Sequence, residues 1–205
     1  LRCLELLNKM DCCHVAGVVS APKTFVTSYR PEGVTNVLHA NISSFCREQG
    51  IDHAVIETDM KDTVLVERIR LWEPDALIVV SWYHMIPKIW RDIAPAYGMH
   101  ASLLPDYRGG APLVWAIING EEKTGITLFK MDSGVDSGPI VGQMEEPIKP
   151  DDTISTLYGR IEDRGLELLE QYIPELAAGT SRLKPQDESK SRVFSQRSPE
   201  DGEID

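Results

Sequence analysis

Two side chains in this sequence have the type and setting for proton chemistry: His100 and Asp136, 36 positions apart. His100 closes Tyr97-Gly98-Met99-His100 and leads into Ala101-Ser102-Leu103-Leu104-Pro105, where the proline fixes an extended exit. Asp136 lies in the glycine-punctuated stretch Asp132-Ser133-Gly134-Val135-Asp136-Ser137-Gly138. A carboxylate beside an imidazole is the usual means of holding the ring charged and aimed, ready for general acid–base work. Taken singly, each residue has a bland alternative: histidines cap loops, and an aspartate among glycines closes a turn. The four cysteines, Cys3, Cys12, Cys13 and Cys46, show no CxxC and no Cys/His ligand spacing, so free thiols and no metal are expected. Reduced thiols, with no secretory signal in the chain, make a cytoplasmic protein the default expectation.

The elements that must position these residues read as an alternation of strands and helices. Leu1–Leu7 has helical spacing, Val15–Val19 reads as a buried strand, and Ala21–Thr35 as a loop. A helical stretch at 37–49 follows, then a strand at 53–58 and a helix at 63–72. Ala76–Val80 is an unbroken apolar run that suits a strand covered on both faces. Strands at 126–131 and 140–143 flank the Asp132–Gly138 turn. A long amphipathic helix spans Thr153–Ala178, with Asp152 or Thr153 as cap and Gly179 as stop. The fold class expected is α/β: a doubly wound, mostly parallel, Rossmann-like sheet with a polar C-terminal tail. The domain expected is residues 1–180, with 181–205 a polar tail or linker, extended or mobile. The chain opens inside a helix, so the native first strand is expected to precede Leu1. In such sheets ligands bind past the carboxyl ends of strands, which draws attention to Ser81-Trp82-Tyr83-His84 as well as to His100.

The string from His100 to Gly120, His-Ala-Ser-Leu-Leu-Pro-Asp-Tyr-Arg-Gly-Gly-Ala-Pro-Leu-Val-Trp-Ala-Ile-Ile-Asn-Gly, is followed by Thr124-Gly-Ile-Thr127 and by Asp132-x-Gly-x-Asp136-x-Gly138. It resembles the folate-dependent formyltransferases, whose pattern is N-x-H-x-S-L-L-P-x-x-R-G, then T-G-[VI]-T, then D-x-G at the catalytic aspartate. The resemblance runs over nearly the whole chain, to the closing Pro199–Asp205. It implies transfer of a formyl group from 10-formyltetrahydrofolate, as co-substrate and without a metal, to an amine. By resemblance His100 stabilises or protonates the oxyanion of the tetrahedral intermediate, and Asp136 holds that histidine charged and helps take the amine proton. A donor placed where the formyl oxygen gains charge is worth several kcal/mol. The resemblance also assigns His84, Met85 and Ile86, with Asp132, Ser133, Gly134, Val135 and Asp136, to folate, and Tyr107 and Arg108 to the acceptor. Simple packing at a strand end is the competing reading for Met85 and Ile86. One position departs from the pattern: the family's oxyanion asparagine is Gly98 here. Either water, a backbone N–H or another side chain such as His84 replaces it, or the protein is slow or inactive.

Composition narrows the acceptor. The 205 residues carry 21 Lys+Arg against 32 Asp+Glu, a net charge of −11, and residues 145–205 hold 8 basic and 15 acidic side chains. No segment of domain size is basic, and Ala21–Asn36 contains only Lys23 and Arg30, so nucleic acid is not the expected partner. Ser81–Ile86 and Tyr107–Trp115 resemble the amino-sugar N-formyltransferases most. A small-molecule amino sugar, nucleotide-linked or lipid-linked, is therefore the expected acceptor. Methionyl-tRNA formyl transfer and a catalytically weak binding module are the alternatives. No apolar run is long enough to span a membrane. A homodimer is left open.

Overall fold

The computed structural model describes residues 1–27, 30–36, 39–56, 59–197 and 201. They fall into two compact units, Leu1–Ala96 and Tyr97–Asp205.

The first unit begins with α1 (Arg2–Leu7), then β1 (Gly17–Ser20), β2 (Thr24–Thr27), β3 (Arg30–Thr35), α2 (Ile42–Gln49), β4 (Asp52–Val55), α3 (Thr63–Leu71), β5 (Leu77–Val79) and α4 (Lys88–Arg91). β1 and β4 pair in parallel, Gly17 opposite Asp52, with α2 as the intervening helix, which is the crossover arrangement of an α/β fold. The caps follow the sequence: Asn41 accepts from Ser44 N at 3.1 Å and Asp62 from Leu65 N at 3.0 Å. α3 then buries Leu65, Val66 and Ile69. Two expectations change here. Part of the stretch read as the Ala21–Thr35 loop is an antiparallel hairpin, β2 against β3, because Thr24-Phe-Val-Thr27 carries the β-branched and aromatic residues a strand prefers. The strands at 17–20 and 77–79 are half-buried rather than buried on both faces. The expected beginning of the 37–49 helix and the end of the 53–58 strand lie outside the described residues.

The second unit takes β6 (Ala96–His100), β7 (Arg108–Gly109), α5 (Pro112–Ile118), β8 (Lys123–Lys130), β9 (Ile140–Pro147), α6 (Ile154–Ala177) and β10 (Val193–Phe194). β8 is antiparallel to both β6 and β9; for β9 the reason is the Asp132–Gly138 connection, which is too short for a crossover. α6 lies on this sheet. Leu157, Ile161 and Leu168 from one face of the helix meet Ile126, Leu128, Val141 and Leu113. Its start is a capping box in which Thr153 accepts from Thr156 N and Thr156 Oγ1 accepts from Thr153 N. No helix among the described residues is long and apolar enough to cross a membrane.

A buried carboxylate ties α6 to β9. Glu146 is 3% exposed and accepts from Arg160 Nε at 2.6 Å and Arg164 Nε at 2.9 Å. Burial pushes its pKa up, but Arg160 and Arg164 outweigh burial and hold it below the ordinary value. Glu121 is lowered by the Tyr107 hydroxyl and Arg192, and Glu188 by Arg108. A depressed folded-state pKa contributes stability above the unfolded value that is lost as pH falls. Thermal unfolding of the protein is therefore expected to drop in midpoint as pH falls below about 4.3, the ordinary glutamate value. In Glu146→Gln the midpoint is already lower at pH 7 and the acid slope is shallower. An unchanged slope would show that Glu146 is not the group responsible.

Candidate functional site

His100 is the last residue of β6, opposite Thr127 in β8, and this pairing sets where the imidazole stands. The chain leaving His100 is locked by buried polar groups. Thr127 Oγ1 donates to Ser102 O at 2.6 Å and accepts from Leu104 N at 3.2 Å, and Gln143 Nε2 donates to Leu104 O at 2.8 Å. Thr127 is fully buried and Ser102 is 1% exposed, so these bonds cannot be exchanged for water without cost. Thr127 of the T-G-I-T motif thus acts on the backbone of the 102–104 segment, while Ser102 Oγ donates to Asp106 O at 2.7 Å.

His100 Nε2 faces the carbonyl of Tyr107 at 2.7 Å. A carbonyl only accepts, so Nε2 carries a hydrogen and Nδ1 is the nitrogen left for reacting groups. Nδ1 lies 3.6 Å from Asp136 Oδ2, an ion-pair distance longer than a hydrogen bond. Asp136 Oδ2 in turn accepts from Gly109 N at 2.9 Å. The 107–109 loop therefore holds both partners, the histidine by a carbonyl and the aspartate by an amide. The backbone is left-handed at Gly109 (φ 91), where glycine adopts it freely, and at Tyr107 (φ 55), Ala111 (φ 47) and Asp136 (φ 49), where the unfavourable conformation is kept by the surroundings. The side chains of His100 and Asp136 are 11% and 20% exposed, accessible yet largely desolvated.

The remaining expected site residues divide. Asp132 Oδ1 accepts from Gly134 N at 2.8 Å and Ser137 Oγ at 2.9 Å, so its carboxylate closes the turn that carries Asp136. Ser133 and Val135 project outward from that turn, Val135 at 47% exposure. In the first unit, His84 and Met85 are exposed, while Ile86 is 3% exposed and packs inward. The rings of His84 and Tyr83 stand 5.9 Å and 5.2 Å from Phe25. The neighbouring Trp82 Nε1 is buried with no hydrogen-bond partner among the described residues. An orphan donor in the loop assigned to folate fits a ligand that supplies an acceptor.

Tyr107 and Arg108, assigned to the acceptor by resemblance, have their side chains occupied within the protein. Arg108 is 4% exposed and donates through Nε and Nη2 to Gln186 Oε1, and through Nη1 and Nη2 to both oxygens of Glu188. The Tyr107 ring stacks on Phe194 at 4.6 Å and its hydroxyl donates to Glu121. The tail read as extended or mobile is extended but held. Ile140 and Lys184 exchange backbone bonds of 2.8 Å, and β10 pairs in parallel with β7. The sequence reading missed Thr127, Gln143, Gln186 and Glu188. The T-G-I-T motif was a signal for the first; the others are polar residues whose partners lie far along the chain.

Gly98 does not open onto free space. A Cβ there would stand 3.1 Å from the Phe129 ring and 3.2 Å from Met131 Cγ and Sδ. The space in the Cβ direction is filled by a thioether and a ring edge, so it is not there that substrate or water could stand. Gly98→Asn is expected to displace Met131, lower the unfolding free energy by about 1–3 kcal/mol through overpacking, and give no gain in turnover. Raised turnover at unchanged folate affinity would contradict this.

A sequence model of the family described as formyl transferase matches residues 5–173. Among solved structures, methionyl-tRNA formyltransferase from Clostridium thermocellum is 25% identical, with a TM-score of 0.60 over 91% of this chain and 74% of that one. HypX from Aquifex aeolicus in complex with tetrahydrofolic acid is 20% identical, with a TM-score of 0.67 over 91% of this chain and 31% of that one. WlaRD, a sugar 3N-formyl transferase solved in the presence of dTDP and 5-N-formyl-THF, is 19% identical, with a TM-score of 0.68 over 94% and 64%. The chain thus spans about a third of the length of HypX.

Proposed function

Since the chain belongs to the formyl transferase family, we propose that it transfers a formyl group from 10-formyltetrahydrofolate to the amine of an amino sugar, with His100 and Asp136 as the reacting pair. The observation that carries this reading is the pairing of His100 Nδ1 with Asp136 Oδ2 at 3.6 Å, with both groups desolvated and the other ring nitrogen tied to Tyr107 O. In this reading the amine nitrogen bonds to the formyl carbon and the formyl–N10 bond breaks. The proton lost by the amine is carried by Asp136, and a proton ends on N10 of the released tetrahydrofolate. With Nε2–H given to Tyr107 O, His100 acts as the imidazolium beside Asp136, and its Nδ1–H serves the formyl oxygen as it becomes an oxyanion, at the step where a fixed donor counts most. Asp136 Oδ2 is engaged by Gly109 N, which leaves Oδ1 as the oxygen for the amine proton. The orphan Trp82 N–H and the exposed His84 and Met85 are the residues of the first unit proposed to meet folate.

Charge supports the small acceptor. With a net charge of −11 and an acidic C-terminal third, the chain has no basic segment of domain size, which favours a small acceptor over a phosphate backbone. A panel of amino-sugar nucleotides and methionyl-tRNA, each offered with 10-formyltetrahydrofolate while tetrahydrofolate release is followed, tests the reading. Amine-dependent release is expected with a sugar and not with tRNA. Steeply salt-dependent binding of methionyl-tRNA, tighter than that of any amino-sugar nucleotide, would overturn the acceptor assignment.

A further inference from the structure

We infer that Gln186, in the C-terminal segment, is a positioning residue for the His100–Asp136 pair. Its carboxamide ties the backbone that carries Asp136 to the Arg108 side chain of the 107–109 loop, the two segments on which that pair depends. Nε2 donates to Asp136 O at 2.8 Å and to Gly138 O at 2.7 Å. Oε1 accepts from Arg108 Nε at 3.0 Å and Arg108 Nη2 at 2.7 Å. On one side it thus grips the peptide unit of Asp136, which sits in a left-handed conformation that costs free energy to maintain. On the other side it grips Arg108, between the Tyr107 carbonyl that binds His100 Nε2 and the Gly109 amide that binds Asp136 Oδ2. Both N–H groups and the carbonyl oxygen of one side chain are used, and no other residue type has two donors and an acceptor at that reach.

The segment bearing Gln186 is itself fastened on both sides. Lys184 exchanges backbone bonds with Ile140, Glu188 receives Arg108, and Arg192 lies over the Tyr107 ring at 4.7 Å. Gln186 is therefore a brace with fixed ends. The proposed roles need His100 Nδ1 and Asp136 Oδ2 held at their 3.6 Å separation, and a misplacement of about 1 Å near reacting groups can cost about 100-fold.

The inference rests on the assignment of His100 and Asp136 as the reacting pair, so its test has one readout in turnover and one that needs none. Gln186→Glu keeps the shape and the acceptor for Arg108 but turns a carboxylate toward two carbonyls; Gln186→Met keeps the shape and removes every bond. Glu146→Gln, remote in the unit, serves as a variant of lowered stability with an intact site. In folded Gln186→Met and Gln186→Glu, kcat is expected to fall by about 10–100-fold with KM for the folate donor changed far less. Amide hydrogen exchange at Gly109 is expected to quicken by about tenfold or more, since its acceptor is no longer held. Glu146→Gln should show neither effect. An unchanged Gly109 exchange rate in folded Gln186→Met would overturn the inference whatever the activity. So would a kcat within about twofold of the parent, or an equal fall in Glu146→Gln. A parent protein that transfers no formyl group, with Gly109 exchange still quickened by Gln186→Met, would instead overturn the assignment of the reaction and leave the brace standing.

Discussion

His100→Ala and Asp136→Asn are each expected to lower formyl transfer by about 10³-fold or more while the protein stays folded, with the double variant little worse than either single. Removing His100 deletes the Nδ1–H that would face the oxyanion, and loss of one such donor alone costs about 10²–10³-fold. Asp136→Asn keeps an acceptor for Gly109 N but removes the negative charge 3.6 Å from the ring and the base for the amine proton. Neither change opens a cavity in the α6-facing core, to which neither side chain contributes. Groups that act as one unit show non-additive losses. Steady-state kinetics on the three variants decide the matter: losses that multiply would mean that the two groups act independently.

A second large effect is expected far from any charged atom. In Gly109→Ala the new Cβ would lie 2.3 Å from the backbone oxygen of Phe194, at a residue whose φ of 91 disfavours every L side chain. The clash is backbone against side chain, and no rotamer relieves it. β7 and β10 must separate, which carries the Gly109 amide away from Asp136 Oδ2 and the Arg108 guanidinium away from Gln186 and Glu188. A buried guanidinium that loses its partners is destabilising by about 3–5 kcal/mol. The expected result is a lower unfolding midpoint together with a turnover loss approaching that of Asp136→Asn. Full activity in a folded Gly109→Ala would show that the loop does not set the geometry of the pair.

These two predictions draw unequally on the sequence. His100 and Asp136 were legible because each stands in a local string whose neighbours constrain it, a proline exit for one and a glycine-punctuated turn for the other. The long helix was legible for the same reason: Thr153 caps it, its apolar spacing is regular, and Gly179 follows it. What was not legible depends on partners distant in the chain. Gln186, Glu188 and Arg192 read as a polar tail because a polar side chain carries no sign of whether water or a residue 80 positions away will satisfy it. Arg108 and Tyr107 read as acceptor residues by resemblance alone, and the Arg-Gly-Gly string does not show that the guanidinium and ring are already engaged. Gly98 was marked as a departure from the family pattern, but only the register against Phe129 shows what takes the vacated space. The β2–β3 hairpin escaped because proline and glycine nearby outweighed a four-residue strand signal.

Transfer of a labelled formyl carbon tests the central claim most directly. With 10-formyltetrahydrofolate carrying ¹³C in the formyl group and an amino-sugar nucleotide as acceptor, carbon NMR follows where the label goes. The account predicts that the label moves from N10 to a new amide on the sugar, one tetrahydrofolate appearing for each amide, and that His100→Ala leaves the label on the donor. Label that accumulates as free formate, or reaches the amide at the same rate in His100→Ala as in the parent protein, would contradict it.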